Sequence, residues 1–360
     1  MLASLVQRVL DDLIDSAAPE LTRLSRDLEP VIGHARRFTG GGKRLRASFC
    51  AAGARIADGR PGTALSTGDA VVLAASSLEL FHAAALVHDD IIDRSDTRRG
   101  ALSTHRALEA HHAASGWAGD GERFGVSAAI LAGDLLLTWS DDLFVEAQTA
   151  AATSERARRA RREFSRMRAE VTAGQYMDLV EELAWPVVPV AERADRAIAI
   201  ATSKAARYSV EAPLVIGALL GGADDELVAR IRAFGLPLGL AFQLRDDVLG
   251  VYGDESVTGK PAGDDLREGK RTLLIAETER RVDDAERARL DALLGDAAMP
   301  DEEIARIQRL MRESGGLDAV ETTISALLDQ ALAALERVEL DAEARALLEG
   351  LAHRAARRDA

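Results

Sequence analysis

The chain has 360 residues, of which 47% are hydrophobic and 29% are charged, and its net charge is −14. This composition is typical of a soluble globular protein, and the acidic excess argues against general affinity for nucleic acid. Its one cysteine, Cys50, excludes an intrachain disulfide and fits a reducing compartment. We therefore expect a cytoplasmic protein with no nucleic-acid partner.

The start of the chain does not resemble a signal peptide. Residues 1–20 alternate apolar side chains with Asp11, Asp12 and Asp15 and lack a basic segment before an apolar core. No stretch of the chain approaches 18 consecutive apolar residues, so we expect no transmembrane segment. Peripheral association with a membrane stays open.

Helical periodicity runs from Leu2 to the C-terminus, and abundant Ala, Leu, Arg and Glu favour helix throughout. The pattern is interrupted at Phe38–Gly42, Asp58–Gly62, Arg94–Leu102, Ser115–Phe124, Trp185–Pro189, Gly221–Asp225, Tyr252–Lys270 and Gly295–Asp301. None of these segments has the composition of a flexible linker, and no strand alternation is evident. The sequence predicts one all-α domain over residues 1–360, with roughly ten or more helices.

A glycine run with cations opens one predicted helix. Gly40–Gly42 precede Lys43 and Arg46, which lie one helical turn apart. Flexible backbone at a helix N-terminus, together with two cations, suits an anion. The segment is not a P-loop, because the GxxxxGK[ST] order is absent.

An acidic cluster ends the next apolar helix. Asp89, Asp90 and Asp93 share one helix face, where their charges repel and require a cation. Oxygen ligands without cysteine suit Mg²⁺, which takes one or two carboxylates together with substrate phosphates. His82 lies two turns earlier on roughly the same face.

The acidic cluster continues directly into a basic loop that contains Arg98 and Arg99. Carboxylates can bind a metal ion, and guanidinium groups can donate two parallel hydrogen bonds to a phosphate. Side by side, these groups form a site suited to a polyphosphate. A solvated run of charges is the alternative explanation. The recurrence of paired aspartates at Asp246 and Asp247 weakens this alternative.

The second cluster leads into a polar, glycine-rich segment in which Lys260 and Lys270 are candidates for phosphate contact. Three further polar residues, Gln175, Asp178 and Lys204, lie on two predicted helices. They become informative only if the fold brings them together.

These residues resemble the trans-prenyltransferases, the polyprenyl diphosphate synthase family, and most of all its bacterial geranylgeranyl or farnesyl diphosphate synthases. The matching motifs, in chain order, are GGKRLR at Gly41–Arg46, FHAAALVHDDIID at Phe81–Asp93, DTRRG at Asp96–Gly100, GQYMDL at Gly174–Leu179, FQLRDDVLG at Phe242–Gly250 and TGKP at Thr258–Pro261. The resemblance implies an isoprenoid synthase fold, a helical bundle around a central cavity, usually in a homodimer. It also implies Mg²⁺-dependent head-to-tail condensation of isopentenyl diphosphate with dimethylallyl, geranyl or farnesyl diphosphate.

The resemblance assigns roles by motif position. A cluster of two or three Mg²⁺ ions on the allylic diphosphate is expected at Asp89, Asp90, Asp93, Asp246 and Asp247. Contacts with the same ligand are expected from Arg98, Lys204, Gln243, Lys260 and Lys270. Contacts with isopentenyl diphosphate are expected from Lys43, Arg46, His82 and Arg99.

The sequence departs from the family pattern at several positions. Gly250 stands where many members have a third aspartate, so the second metal face is expected to have fewer ligands unless Asp254 lies nearby. Ala205 replaces a common threonine after Lys204. Leu102 and Ser103 stand where proline and threonine are frequent.

Product length is expected to depend on the helix before the first acidic motif. In the family, large side chains there stop elongation. Ala84 and Ala85 leave the upper pocket open, and Phe81 lies roughly 12 Å below Asp89 as a candidate floor. We expect geranylgeranyl diphosphate, with a farnesyl or longer product as the alternative and ordinary helix packing as the other explanation of Phe81.

Three other functions fit the sequence less well. A metal phosphohydrolase of the HD type needs more histidine ligands and leaves the second acidic cluster unexplained. A class I terpene cyclase has a second metal motif of a different kind. A non-catalytic partner of a prenyltransferase typically has degraded motifs, whereas both aspartate pairs are intact here.

Overall fold

A computed structural model describes residues 1–59, 65–98, 100–253 and 262–357. In chain order the elements are α1 (Leu2–Leu24), a 3-10 turn (Arg26–Leu28), α2 (Glu29–Thr39), α3 (Leu45–Asp58), α4 (Ala70–Ile92), β1 (Thr97–Arg98), β2 (Ala101–Leu102), α5 (Thr104–Ala114), α6 (Gly121–Ala150), α7 (Ser154–Ala184), a 3-10 turn (Trp185–Val187), α8 (Val190–Ile200), a π-helix (Ala201–Glu211), α9 (Ala212–Gly221), α10 (Asp225–Tyr252), α11 (Asp264–Glu268), α12 (Leu273–Glu279), α13 (Asp284–Leu293), α14 (Asp301–Glu313), α15 (Gly316–Leu335) and α16 (Ala342–Arg357). The predicted all-α fold class is confirmed.

Several helix ends fall within or next to the predicted interruptions, but the sequence pattern missed the breaks between α1 and α2, α6 and α7, α12 and α13, α14 and α15, and α15 and α16. The loop expected over Ser115–Phe124 is shorter, because the Asp120 side chain accepts a hydrogen bond from Arg123 N and α6 begins at Gly121. An unpredicted break separates α6 from α7. There, Thr153 Oγ1 accepts from Arg156 N at 3.2 Å, which caps the new helix.

The predicted Arg94–Leu102 loop contains a small antiparallel hairpin. Strands β1 and β2 pair Thr97 with Leu102 and Arg98 with Ala101. Two residues per strand are too few to give a recognisable alternation, so the sequence did not signal the hairpin.

The chain forms two compact units. Unit 1 comprises Met1–Arg162 and Pro213–Asp224, and unit 2 comprises Glu163–Ala212 and Asp225–Ala360. The assignment of residues 1–360 to a single polyprenyl synthase domain stays a prediction.

In unit 1, α4 is buried over most of its length because almost every residue from Val71 to Val87 is apolar or small. Its few polar groups are satisfied within the core. Ser77 Oγ donates to Ser140 O at 2.6 Å, and Ser140 Oγ donates to Ser77 O at 2.8 Å, which links α4 to α6. Cys50 on α3 is fully buried, as expected, and burial raises the pKa of its thiol to about 12.

Helices α3 and α9 approach each other closely enough that their backbones nearly touch. A Cβ atom at Gly217 would overlap the carbonyl of Cys50, and one at Gly53 would overlap the carbonyl of Leu214. Both clashes are with backbone, which cannot rotate away. The absence of side chains at these two positions therefore determines how closely the helices pack.

Unit 2 is organised around Trp185, which is completely buried. Its Nε1 donates to Glu279 at 3.0 Å, while the guanidinium groups of Arg193 and Arg271 lie 4.7 and 5.4 Å from its ring centroid. Glu279 also binds Arg193 at 2.6 Å, and Asp291 binds Arg271 at 3.1 Å. Each buried charge in this network faces an opposite charge, which offsets its desolvation.

Two helices, α4 and α10, are long and apolar enough to cross a membrane by length and composition. However, 78% and 56% of their most apolar windows are buried inside the protein. Such burial is typical of core helices.

Gly217→Ala tests the close contact of α3 with α9. We expect the added methyl group to destabilise the protein by about 1–3 kcal/mol, because it meets the Cys50 backbone. Gly33→Ala on α2 is the matched control, since a Cβ there has nothing within 4 Å, and it should be neutral or slightly stabilising. Thermal unfolding midpoints measure both variants, and equal midpoints would contradict the packing argument.

Candidate active site

The first acidic cluster lies at the C-terminal end of α4 in unit 1. Asp90 is fully buried, whereas Asp89 and Asp93 are half-buried. The end of a helix carries partial negative charge, which adds to the repulsion among these carboxylates. The position therefore favours a cation strongly.

The hairpin after α4 supplies one such cation. Arg94 adopts a left-handed conformation with φ of 53°, and Ser95 N donates to Asp90 O at 2.9 Å, so the chain turns back on the helix end. Arg98 Nε then donates to Asp90 Oδ1 at 2.7 Å, and its Nη2 lies 3.9 Å from Asp89 Oδ2. The structure thus brings together Arg98 and two of the aspartates predicted beside it, while Arg99 lies outside the described residues.

The donor chemistry of this cluster fits Mg²⁺. One carboxylate oxygen from each of Asp89, Asp90 and Asp93 is buried from solvent, and oxygen is the ligand that Mg²⁺ prefers. Among the residues described, no three acidic, histidine or cysteine side chains converge as a complete metal cage. Mg²⁺ in proteins commonly takes one or two carboxylates and completes its coordination with water and substrate phosphates.

The glycine-rich loop before α3 leads into three cations, Lys43, Arg44 and Arg46, which differ in how deeply they are buried. Gly41, Gly42 and Arg44 all have positive φ, and this backbone leaves Lys43 exposed and Arg46 half-buried on the first turn of α3. The anion-binding role of Lys43 and Arg46 stays a prediction.

Arg44 instead points into unit 1, a role that the sequence interpretation missed. It donates to Gln7 Oε1 at 2.6 Å and to Thr39 O, and it pairs with buried Glu79 at 3.4 Å. Glu79 in turn accepts from Ala47 N at 3.1 Å in the first turn of α3. The sequence did contain a signal for a buried ion pair, because Glu79 is the only carboxylate in the apolar run of α4 before Asp89.

The side chains expected to line the tail pocket also lie on α4. Phe81 and Ala84 are buried, and Ala85 and His82 are half-buried. All four therefore belong to the helix that ends in the acidic cluster.

In unit 2, the π-helix Ala201–Glu211 carries Lys204. Its backbone packs so closely that a Cβ atom at Gly174 would overlap Lys204, and one at Gly239 would overlap Ala206. Lys204 Nζ lies 2.5 Å from Asp178 Oδ2. The fold thus joins Lys204 and Asp178, which were uninformative separately, and π-helical turns are frequent at functional sites.

The second acidic cluster lies near the end of α10. Asp246 is exposed, and half-buried Asp247 accepts a hydrogen bond from Gln243 Nε2 at 2.7 Å. Burial raises the pKa of Asp247 to about 8, and the charges of Asp265 and Asp246 add to that effect, while the Gln243 bond and Lys270 oppose it. This carboxyl group therefore lacks enough positive charge around it.

Two lysines after this cluster were predicted to contact phosphate. Lys270 lies within the described residues, and Lys260 lies outside them. Lys270 Nζ lies 2.6 Å from Glu268 and 3.3 Å from Asp265. On the opposite side of α10, Arg245 forms a two-bond ion pair with Glu321, 2.6 Å in each bond, which orients the helix. The acidic face of α10 is thereby held in one direction.

Comparisons with known proteins agree with these features. The sequence profile of the polyprenyl synthetase family matches residues 33–311. A geranylfarnesyl diphosphate synthase of Aeropyrum pernix is 34% identical over 86% of this chain and 87% of its own, and a geranylgeranyl diphosphate synthase of Sulfolobus acidocaldarius is 31% identical over 83% and 79%.

Comparison with solved structures also finds similarity to prenyl diphosphate synthases. The geranylgeranyl pyrophosphate synthase of Corynebacterium glutamicum, crystallised with isoprenyl diphosphate and magnesium, superposes with a TM-score of 0.91 and 38% identity. The match covers 99% of each chain.

The raised pKa of Asp247 predicts that Mg²⁺ binding releases a proton. At pH 7 this carboxyl is mostly neutral, and a bound cation should ionise it, so wild type should release up to about one more proton than Asp247→Asn. The difference should fall by about half at pH 8 and disappear well above that pH, where Asp247 is ionised before the metal binds. Calorimetry in buffers of different ionisation enthalpy counts the protons, and equal release by both proteins at pH 7 would contradict the interpretation.

Proposed function

Because the chain belongs to the polyprenyl synthetase family and is a prenyltransferase that elongates prenyl diphosphates, we propose that it makes geranylgeranyl diphosphate as its main product. It does so by head-to-tail condensation of isopentenyl diphosphate with dimethylallyl, geranyl or farnesyl diphosphate. A farnesyl or longer product is the alternative within the same reaction. The observation that carries the proposal is the buried carboxylate cluster at the end of α4 with Arg98 folded against it.

The carboxylates are proposed to bind the metal that accompanies the allylic diphosphate. Two or three Mg²⁺ ions are expected, with ligands from Asp89, Asp90, Asp93, Asp246 and Asp247. When bound, Mg²⁺ neutralises charge that develops on the departing diphosphate. The oxygen-only donor sets support this role, as does the pKa of Asp247, which is raised first by burial and further by the charges of Asp265 and Asp246.

Four cations are proposed to hold the allylic diphosphate oxygens. They are Arg98, Lys204, Lys260 and Lys270, with the Gln243 amide as a neutral donor. The three described cations each lie against a carboxylate, at Asp90, Asp178 and Glu268 respectively. Preorganised donors of this kind stabilise a developing anion more effectively than water does.

Isopentenyl diphosphate must keep its diphosphate, so it is best held by cations alone. We assign this role to Lys43, Arg46, His82 and Arg99. The exposed Lys43 and half-buried Arg46 lie at the N-terminus of α3, and the partial positive charge of a helix N-terminus also attracts anions.

The reaction needs no side-chain nucleophile. Breaking the allylic C–O bond leaves an allyl cation and diphosphate, the double bond of isopentenyl diphosphate attacks the cation to form the new C–C bond, and a proton is then lost. The released diphosphate is proposed to take that proton. Cys50 takes no part, because its buried thiol stays protonated.

The tail pocket is proposed to run along α4, with Ala84 and Ala85 as its upper wall and Phe81 as its floor. Small side chains near the acidic cluster leave room for the growing chain. The buried aromatic ring of Phe81 supports the assignment of the floor.

The enzyme is proposed to act as a cytoplasmic homodimer without nucleic-acid partners. Exposed apolar side chains on α6 support self-association, with Leu131 exposed to 66%, Val145 to 50% and Ile130 to 44%.

Incubation with Mg²⁺, labelled isopentenyl diphosphate and each C5, C10 or C15 primer tests the reaction. We expect a C20 product, and we expect Asp89→Ala to lower turnover by at least about a hundredfold because a metal ligand is lost. Asp12→Ala removes an exposed carboxylate of unit 1 and should leave turnover unchanged. Rapid diphosphate hydrolysis without chain extension would contradict the proposal.

Phe81→Ala tests the floor of the pocket. Removing the ring should lengthen the product by at least one C5 unit. Phe49→Ala, which deletes an equally buried ring from α3, controls for the roughly 3–5 kcal/mol that such a loss costs and should leave product length unchanged. Chromatographic sizing of the products gives the answer, and lengthening in both variants would count against Phe81.

A further inference from the structure

Two buried glycines lie well inside long helices of unit 2, Gly174 in α7 and Gly239 in α10. Glycine inside a helix is less favourable than alanine, because its backbone loses more freedom on folding. Their presence therefore indicates a packing requirement at both positions.

The packing partner at both glycines is the main chain of the π-helix. A Cβ atom at Gly174 would overlap Lys204 N and would lie 2.7 Å from Lys204 Cα. A Cβ atom at Gly239 would overlap Ala206 O and would lie 2.8 Å from Ala206 C. These are backbone atoms, so no rotation of a side chain relieves the overlap.

Lys204 contacts α7 at both of its ends. Its main chain packs on Gly174, and its ammonium group lies 2.5 Å from Asp178 Oδ2, in an ion pair whose side chains are 22% and 14% exposed. Gly174 and Asp178 are four residues apart, so they share one face of the helix, about 6 Å apart along its axis. The lysine side chain is thus laid along one turn of α7.

Gly239 has the corresponding place on α10, one turn before Gln243. Gln243 Nε2 donates to Asp247 Oδ1 at 2.7 Å, and this amide is proposed to contact the same diphosphate as Lys204. Because the π-helix packs on Gly239 and carries Lys204, the closeness of this packing sets the distance between the two proposed donors.

We propose that Gly174 and Gly239 are positioning residues, which fix the backbone of the π-helix and thereby place Lys204 for the allylic diphosphate. The inference rests on the proposed function, since it concerns a substrate of that reaction. A methyl group at residue 174 would push Lys204 Cα from 2.7 Å to an ordinary contact distance, a shift of about 1 Å. Misplacement on this scale can lower a reaction rate by about a hundredfold.

Gly174→Ala tests the position of Lys204 in the full-length protein. The KM for the allylic primer should rise by at least about tenfold, and the KM for isopentenyl diphosphate should stay within about twofold of wild type, because its proposed cations lie in unit 1. Partial unfolding would change neither KM, since it lowers only the amount of active enzyme. An unchanged allylic KM would overturn the proposal.

Gly316→Ala, at the start of α15, is the matched control. Its Cβ atom would overlap Thr278 Oγ1 and would lie 2.9 Å from Thr278 Cα, so the overlap is comparable but does not involve the π-helix. Both KM values should stay within about twofold of wild type. A rise in the allylic KM equal to that of Gly174→Ala would also overturn the proposal.

Gly239→Ala and a double-mutant cycle test whether the glycines act through the lysine. Gly239→Ala displaces Ala206, two residues after Lys204, and should raise the allylic KM in the same direction, so it reports on the π-helix even if Gly174→Ala does not fold. Adding either glycine substitution to Lys204→Met should change the allylic KM by less than about twofold. Independent, additive effects would overturn the proposal.

A binding measurement separates this inference from the proposed function. Calorimetric titration of inorganic diphosphate with saturating Mg²⁺ requires no turnover, and Gly174→Ala should bind about tenfold more weakly than Gly316→Ala. If wild type extends a primer while these two variants bind diphosphate equally, the inference fails and the function stands. If wild type extends no primer, the function fails, while the titration still reports whether Gly174 places a lysine for diphosphate.

Discussion

Negative charge gathered at the ends of apolar helices is the constraint on which the proposed site depends. In unit 1 the charge lies at the end of α4, where the helix dipole adds to it, and Arg98 returns from the hairpin to lie against Asp90. In unit 2 it lies near the end of α10, where Asp247 is left with a raised pKa. Each set carries more negative charge than its neighbours balance, which favours a divalent cation.

The carboxylates also restrict the positions of the proposed phosphate-binding cations. Arg98, Lys204 and Lys270 each bind a carboxylate of their own unit. An unpaired long side chain would sample many rotamers, and fixing it on binding would cost conformational entropy. The carboxylates restrict these rotamers in advance, so a diphosphate would meet donors that are already ordered.

Local sequence patterns predicted the helices, because the apolar run of α4 and the polar breaks around it are local signals. They also placed Asp89, Asp90 and Asp93 at a helix end, since that prediction needs only helical spacing. The pairing of Lys204 with Asp178 required the tertiary fold. Local sequence gives no indication that Arg44 is buried, because its burial depends on Glu79, which is 35 residues away. The contact of Gly174 with the backbone of Lys204 likewise depends on how the π-helix packs against α7.

The Trp185 network has a mechanical consequence for Lys270. The next residue, Arg271, is fixed between the buried indole ring and Asp291, so the main chain at this point is anchored to the core of unit 2. Lys270 therefore cannot be carried toward a ligand by movement of its own backbone. Its ammonium group can change partners only by rotation about the bonds of its side chain. If Lys270 binds a diphosphate as proposed, its reach is set by the length of one lysine side chain, and binding exchanges one ion-pair partner for another.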